Sequence, residues 1–155
     1  VAEGVTFVAT ANIGNEYTST RVMDKALMDR FTIVEMDVLT DTEEYGLLTY
    51  MFPHVEPELL KAVSEISHTT RMESKSDSGK VTTGISTRTS VEMAGLIYDG
   101  FGIDEASEVS IYPQFAEDGG MDSERTFVKQ LVQKYVSDGS EENLFNEEEV
   151  SDSDF

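Results

Sequence analysis

The stretch Val5-Thr6-Phe7-Val8-Ala9-Thr10-Ala11-Asn12 decides how the first part of the chain is interpreted. Its first five residues are β-branched, aromatic or small, and an extended backbone would place apolar side chains on both faces. Strands of that kind lie between two helical layers in the middle of an α/β sheet. We therefore expect a buried strand over residues 5–9, with the rest of its sheet outside these 155 residues.

The following segments predict a second strand. Residues 13–21 are polar and contain Gly14 and Asn15, which indicates a loop. Apolar residues recur at helical spacing over residues 22–30, and residues 31–38 alternate as in a strand. A strand, a loop, a helix and a strand in this order predict a crossover between parallel strands. Residues 1–39 are thus expected to be the rear part of an α/β core.

The rest of the chain has helical patterns. Thr40 and Glu43 have the capping-box spacing and predict a helix that runs to about Phe52. Pro57 is expected at the first position of the next helix, and residues 76–79 in a turn between weak strands or in an irregular loop. Three more helices are predicted. The first begins at a capping box at Thr89 and ends at Gly100 or Gly102, the second covers 104–112, and the third covers 123–136.

Composition limits the class of protein. The chain carries a net charge of −20 and no cysteine, and no apolar stretch approaches the ~20 residues that span a bilayer. The lack of cysteine fits a cytoplasmic protein, and the lack of a long apolar stretch predicts no membrane contact. We expect no direct nucleic-acid binding, because the negative charge of the protein would repel phosphates. His54 and His68 are single and do not predict a zinc site.

The last 19 residues form an acidic tail, 137–155, with eight acids and no base. Such a composition does not offset the entropy cost of ordering, so we expect disorder beyond Gly139. The tail either solubilises the protein through its charge or docks on a basic partner with Phe155 as an apolar anchor. The sequence leaves both alternatives open.

Three motifs carry a resemblance to a known family. They are Val5-Thr6-Phe7-Val8-Ala9-Thr10-Ala11-Asn12, Met23-Asp24-Lys25-Ala26-Leu27-Met28-Asp29-Arg30-Phe31 and Ile85-Ser86-Thr87-Arg88. In this order they resemble the sensor 1 strand, the arginine-finger segment and the sensor 2 helix of AAA+ ATPases. Within that superfamily they are similar to the MoxR and dynein-related branch, which includes CobS subunits of cobaltochelatase and CobS-like ATPases of phages.

The resemblance implies a fold and a role for three residues. The fold is α/β: the rear of a P-loop NTPase core over 1–39, a helical lid domain over 40–136 and the acidic tail. Asn12 would orient water near the γ-phosphate, Arg30 would reach a neighbouring subunit's ATP, and Arg88 would bind phosphate from the lid.

Each of the three residues also has an ordinary structural interpretation. Asn12 could simply begin a loop. Arg30 could pair with Asp29 or sit favourably at a helix C-terminus. Arg88 could be an exposed residue beside a helix cap, and Arg71 and Arg21 are interpreted as surface or interface residues.

The motifs that hold nucleotide and metal in such enzymes are not found in these 155 residues. The Gly79-Lys80 pair has Ser74 where a P-loop needs glycine and Val81 where it needs a hydroxyl. No apolar strand ends in a paired Asp-Glu. We therefore expect that this chain alone does not hydrolyse ATP.

The function implied by the resemblance is that of a C-terminal part of an AAA+ ATPase. Such an enzyme binds ATP with Mg²⁺, assembles as a homo-oligomer, expected to be a hexameric ring, and remodels a protein substrate or adaptor. If phage-encoded, it would act in the host cytoplasm. The alternative is a non-catalytic module that binds a protein partner through its helices and its acidic tail.

Overall fold

The structure, a computed structural model, describes residues 2–10 and 25–144. The chain divides into two compact units, Val1–Asp37 and Val38–Phe155. Within the described part of the first unit, a single helical turn, α1, spans Lys25–Met28. Asn12 and the predicted loop 13–21 lie outside the described residues.

The two predicted strands are not formed in this chain. Residues 5–9 and 31–38 have no regular secondary structure, and no strand pairing joins them within the described residues. A β-strand exists only when its backbone groups pair with a neighbouring strand. The parallel-sheet core therefore stays a prediction.

The second unit is helical, and this part of the fold prediction is confirmed. Its α-helices within the described residues are α2 (Asp41–Met51), α3 (Pro57–Lys75), α4 (Thr87–Tyr98), α5 (Ile103–Ser110) and α6 (Glu124–Leu144). Two 3₁₀ turns, Tyr112–Gln114 and Gly120–Asp122, connect α5 to α6. No helix in the described ranges combines the length and the apolar character needed to cross a bilayer.

Local chemistry explains where α2 begins and α4 ends. The Thr40 hydroxyl accepts the Glu43 N–H at 3.3 Å, and the Glu43 carboxylate accepts the Thr40 N–H at 2.9 Å. The Thr40 hydroxyl also donates to this carboxylate at 2.9 Å, and the bonds from the Thr40 backbone and then from its hydroxyl lower the pKa of Glu43. Helix α4 ends where Gly100 adopts a φ of 99°, a left-handed conformation that glycine reaches without a steric cost.

Two predicted helix ends differ from the structure. Helix α4 begins at Thr87 with Ser86 as its N-cap, not at the capping box predicted at Thr89. The helix predicted to end at residue 136 continues to Leu144, although disorder was expected beyond Gly139. Once a helix is nucleated, each further residue adds a hydrogen bond, so charged residues can extend it. Residues 145–155 of the acidic tail lie outside the described residues.

One apolar core lies between the five helices of the second unit. Burial of each large side chain contributes about 1.5–3 kcal/mol relative to exposure. The buried apolar residues are Leu48, Leu60, Ala62, Val63, Ile66, Val81, Ile85, Met93, Ala94, Ile97, Ile103, Ala106, Ile111, Tyr112, Phe115, Val128, Leu131 and Val132.

Helix α6 is fixed to this core along its first half. Tyr135 donates its hydroxyl to Glu65 at 3.0 Å, and burial together with this hydrogen bond raises the pKa of Tyr135 to about 12. The Arg125 guanidinium donates to the Phe115 carbonyl and to Glu117. These contacts fix the direction of α6 against the other helices.

Candidate functional site

The structure places two of the three predicted site residues. Arg30 follows α1 in the first unit, and Arg88 is the second residue of α4 in the second unit. Both side chains are exposed. Asn12 lies outside the described residues, and Arg88 with the residues that position it forms the candidate site.

Arg30 makes a local contact in this chain. Its Nη1 donates to the Ala26 carbonyl at 3.0 Å, which satisfies a carbonyl at the end of α1. Among the described residues, no ion pair joins Arg30 to Asp29. The guanidinium keeps further donors for a ligand, because one of its five N–H groups makes this bond.

The start of α4 combines free donors with a cation. The Ser86 hydroxyl accepts the Thr89 N–H at 3.3 Å, and the Ser86 carbonyl accepts the Ser90 N–H at 3.1 Å. Within the described residues, the N–H groups of Thr87 and Arg88 have no acceptor, and the Arg88 side chain has no carboxylate partner. Free N–H groups at a helix start attract anions, and the guanidinium of Arg88 adds to that attraction.

The other long helices of the second unit begin differently. Acidic residues stand in the first turns of α2, α3, α5 and α6, where they favour the helix dipole. The first turn of α4 has no acid and contains Arg88. A cation at this position has an electrostatic cost that a bound anion would remove. The start of α4 therefore suits a phosphate group.

Arg71 contacts the segment just before α4, and its interpretation as a surface or interface residue is wrong because its side chain is buried inside the helical unit. Only 5% of Arg71 is exposed, and Glu44 is completely buried. Nη1 and Nη2 each donate to one oxygen of the Glu44 carboxylate, both at 2.8 Å. Nε donates to the Ile85 carbonyl at 2.6 Å, and Nη1 also reaches the Leu39 carbonyl at 3.2 Å.

The sequence contained a signal for this pair. Arg71 follows Val63 by two i,i+4 steps, so it continues the apolar face of α3. Glu44 lies four residues before the buried Leu48 on α2 in the same way. Opposite charges on two apolar helix faces indicate that the faces meet through an ion pair.

The loop before α4 lies against the backbone of α3. A Cβ built on Gly84 would approach the Arg71 Cα to 2.6 Å, so only glycine permits this approach. One residue further, the Ile85 N–H donates to the Thr70 hydroxyl at 3.0 Å. The loop therefore delivers Ser86 and α4 at a fixed place on α3.

Glu124 holds the other end of this loop. Its carboxylate accepts the Thr82 N–H at 2.7 Å and the Ala116 N–H at 3.4 Å. Partial burial acts to raise the pKa of Glu124, but the hydrogen bonds from Thr82 and Ala116 outweigh it and lower the pKa. The loop is thus connected to α3 and to the start of α6.

Helix α4 also packs closely on α3 through small polar residues. The hydroxyls of Ser67 and Ser90 are 2.7 Å apart, and Gln114 donates to the Thr89 hydroxyl at 3.1 Å. Every buried side-chain nitrogen and oxygen in the described ranges has a hydrogen-bond partner. These hydrogen bonds leave α4 little freedom to shift along α3.

The described residues offer a phosphate contact but no metal centre. In residues 2–10 and 25–144, no group of three His, Asp or Glu side chains could hold a metal ion. At the start of α4, Arg88 and the free N–H groups offer donors to an anion such as phosphate.

Comparisons with known proteins agree with the helical domain. The family model described as CbbQ/NirQ/NorQ C-terminal matches residues 52–134, which is more than half of the chain. A stretch of 48 residues is 46% identical to the "Putative chaperone BssE" of Thauera aromatica. That stretch is 31% of this chain and 17% of BssE. The matches confirm the resemblance to MoxR-type AAA+ ATPases.

Proposed function

Because the chain belongs to the CbbQ/NirQ/NorQ C-terminal family, we propose that its helical domain is the lid of an AAA+ ATPase that remodels a protein partner. The observation that carries this proposal is the start of α4, where Arg88 and two N–H groups without an acceptor among the described residues lie together within the matched region. We call this the phosphate-binding end of α4. The description of the relative as "Putative chaperone BssE" supports a protein as the substrate.

ATP with Mg²⁺ is the proposed ligand of the working enzyme. The P-loop and the metal-binding carboxylates come from polypeptide outside these 155 residues, and together with this lid they form what we call the complete ATPase. Arg88 binds the terminal phosphate, whose charge offsets the electrostatic cost of a cation at the start of α4. Loss of that phosphate on hydrolysis releases the lid.

Arg30 and Asn12 are assigned to hydrolysis. Arg30 acts as an arginine finger on the ATP of a neighbouring subunit in a hexameric ring, where a guanidinium neutralises charge that develops on the transferred phosphoryl group. Asn12 orients the attacking water. The exposure of Arg30 and its single local hydrogen bond are compatible with such a contact.

The direct test of the lid role is the preference for ATP over ADP. In the complete ATPase, Arg88→Ala is expected to weaken ATP binding about tenfold and ADP binding little, because a charge-assisted hydrogen bond is lost mainly at the terminal phosphate. Lys134→Ala is the matched control, since it removes one exposed positive charge from α6. Titration of both nucleotides measures the effect, and equal weakening of the two would refute the proposal.

The finger role has its own test in mixed rings. Arg30→Ala is expected to abolish turnover while ATP stays bound, because the residue acts on the neighbour's nucleotide. Subunits with Arg30→Ala mixed with subunits that have a dead P-loop regain some activity, since each supplies what the other lacks. Full activity of Arg30→Ala alone would remove this assignment.

A further inference from the structure

The Arg71 side chain joins segments that are distant in sequence. It lies on α3 and contacts Leu39 at the beginning of the second unit, Glu44 on α2 and Ile85 just before α4. Its Nη2 also lies 3.5 Å from the hydroxyl of Thr87, the residue before Arg88. Of the ion pairs in the described ranges, this is the one with both side chains buried.

Stability alone does not account for such a pair. Two buried charges lose their hydration, and an apolar pair of similar volume is often as stable or more stable. An apolar pair would nevertheless lack the directional bonds to the carbonyls of Leu39 and Ile85. The feature that an arginine supplies here is therefore geometric, a planar fork that joins one carboxylate and two backbone carbonyls.

We propose that Arg71 is a positioning residue that locks the start of α4, and with it Arg88, to the Leu39 segment where the helical domain begins. This inference rests on the proposed function of Arg88. Because Leu39 and Ile85 bind to one guanidinium, a displacement of the Leu39 segment moves the phosphate-binding end of α4 as one body. Gly84 contributes by letting the loop approach the backbone of α3.

The lock can be tested in this 155-residue chain without nucleotide, by hydrogen exchange at the start of α4. The double variant Arg71→Met with Glu44→Leu keeps the volume of the pair and removes the fork. We expect hydrogen exchange of the Thr89 and Ser90 amides to become about tenfold faster, since their acceptor Ser86 is no longer held in place. The Ile111 amide, bonded to the Ser107 carbonyl on α5, is the internal control and stays unchanged.

A second variant keeps the charge. Arg71→Lys retains a cation against Glu44 but replaces the fork with one ammonium group, which does not reach Glu44, Ile85 and Leu39 together. We expect hydrogen exchange of the Thr89 and Ser90 amides to become faster here too, but by less than in the double variant. Unchanged exchange of these amides in both variants would overturn the lock.

The decisive test uses the complete ATPase and the preference for ATP over ADP. The Arg71→Met, Glu44→Leu variant is expected to lose this preference about tenfold, and adding Arg88→Ala is expected to cause no further loss. Non-additivity of this kind shows that Arg71 acts through Arg88. Met93→Ala, a core change in the middle of α4, is the control for destabilisation and keeps the preference.

The two proposals fail in different ways. If Arg88→Ala loses the preference and the double variant retains it, Arg71 is only structural and the inference is overturned. If Arg88→Ala has no effect on the preference, the proposed function fails, and hydrogen exchange in the 155-residue chain still decides whether the lock exists.

Discussion

The two units differ in how far their apolar side chains are buried. In the helical unit, Ile66 and its neighbours in the core are completely or almost completely buried. In the first unit, Phe7 is 65% exposed, Val8 89% and Met36 91%. Both units contain apolar runs of similar strength in the sequence, so hydrophobicity alone does not decide burial.

The difference follows from how each kind of structure satisfies its backbone. A helix makes its hydrogen bonds within one segment, and five helices with apolar stripes can then cover one another. A strand needs a neighbouring strand for its N–H and C=O groups before its side chains can form a face. The helices of the second unit therefore bury their apolar residues against one another, whereas the apolar residues of segments 2–10 and 31–37 stay largely exposed.

The largest expected effect is a break in the buried ion pair. Glu44→Ala leaves the Arg71 charge uncompensated in the core, which is expected to cost about 3–5 kcal/mol of unfolding free energy. Urea denaturation followed by circular dichroism measures this loss. A loss below about 1 kcal/mol, the size expected of an exposed pair, would show that the interior of the helical unit is not closed.

A paired truncation compares the two units directly. Ile66→Ala is expected to cost about 2–5 kcal/mol, because it leaves a cavity in the core. Val8→Ala is expected to change the free energy of unfolding by no more than about 0.5 kcal/mol, since its side chain is exposed. Equal costs at the two positions, measured in the same denaturation assay, would contradict the difference between the units.

The smallest expected effect is the pH dependence of stability that the Glu124 carboxylate gives to the helical unit. Because the folded protein lowers the pKa of Glu124 below 4.5, its contribution to stability is present above that pH. It is lost as the pH falls through the lower, folded pKa. Glu124→Gln is expected to flatten the acid side of the stability curve, and an unchanged curve would mean that the carboxylate does not hold the loop at Thr82.

Much of the helical unit could be predicted from local sequence. The capping box at Thr40 and the proline at the start of α3 are local chemistry, and the structure has both. Leu60, Val63 and Ile66 recur at helical spacing in the sequence, and they form the buried face of α3. Such features do not depend on distant residues, which is why they can be read directly.

The features that sequence reasoning missed depend on distant residues. Thr89 and Glu92 have the spacing of a capping box, yet α4 begins earlier, where Arg71 and Thr70 hold Ile85. Arg71 has no distinct motif around it and is therefore interpreted from the sequence as a surface or interface residue, because its partner Glu44 is 27 residues away. The strands predicted over 5–9 and 31–38 are not formed, since a strand needs a paired neighbour and a local pattern does not test for one.

The measurement that tests the central claim most directly is hydrogen exchange of α4 in the complete ATPase with and without nucleotide. The claim is that the start of α4 binds the terminal phosphate of ATP. It predicts that ATP slows exchange of the Thr87 and Arg88 amides more strongly than ADP does, because these N–H groups have no acceptor among the described residues. Equal protection by ATP and ADP, or protection by neither while the P-loop is occupied, would contradict it.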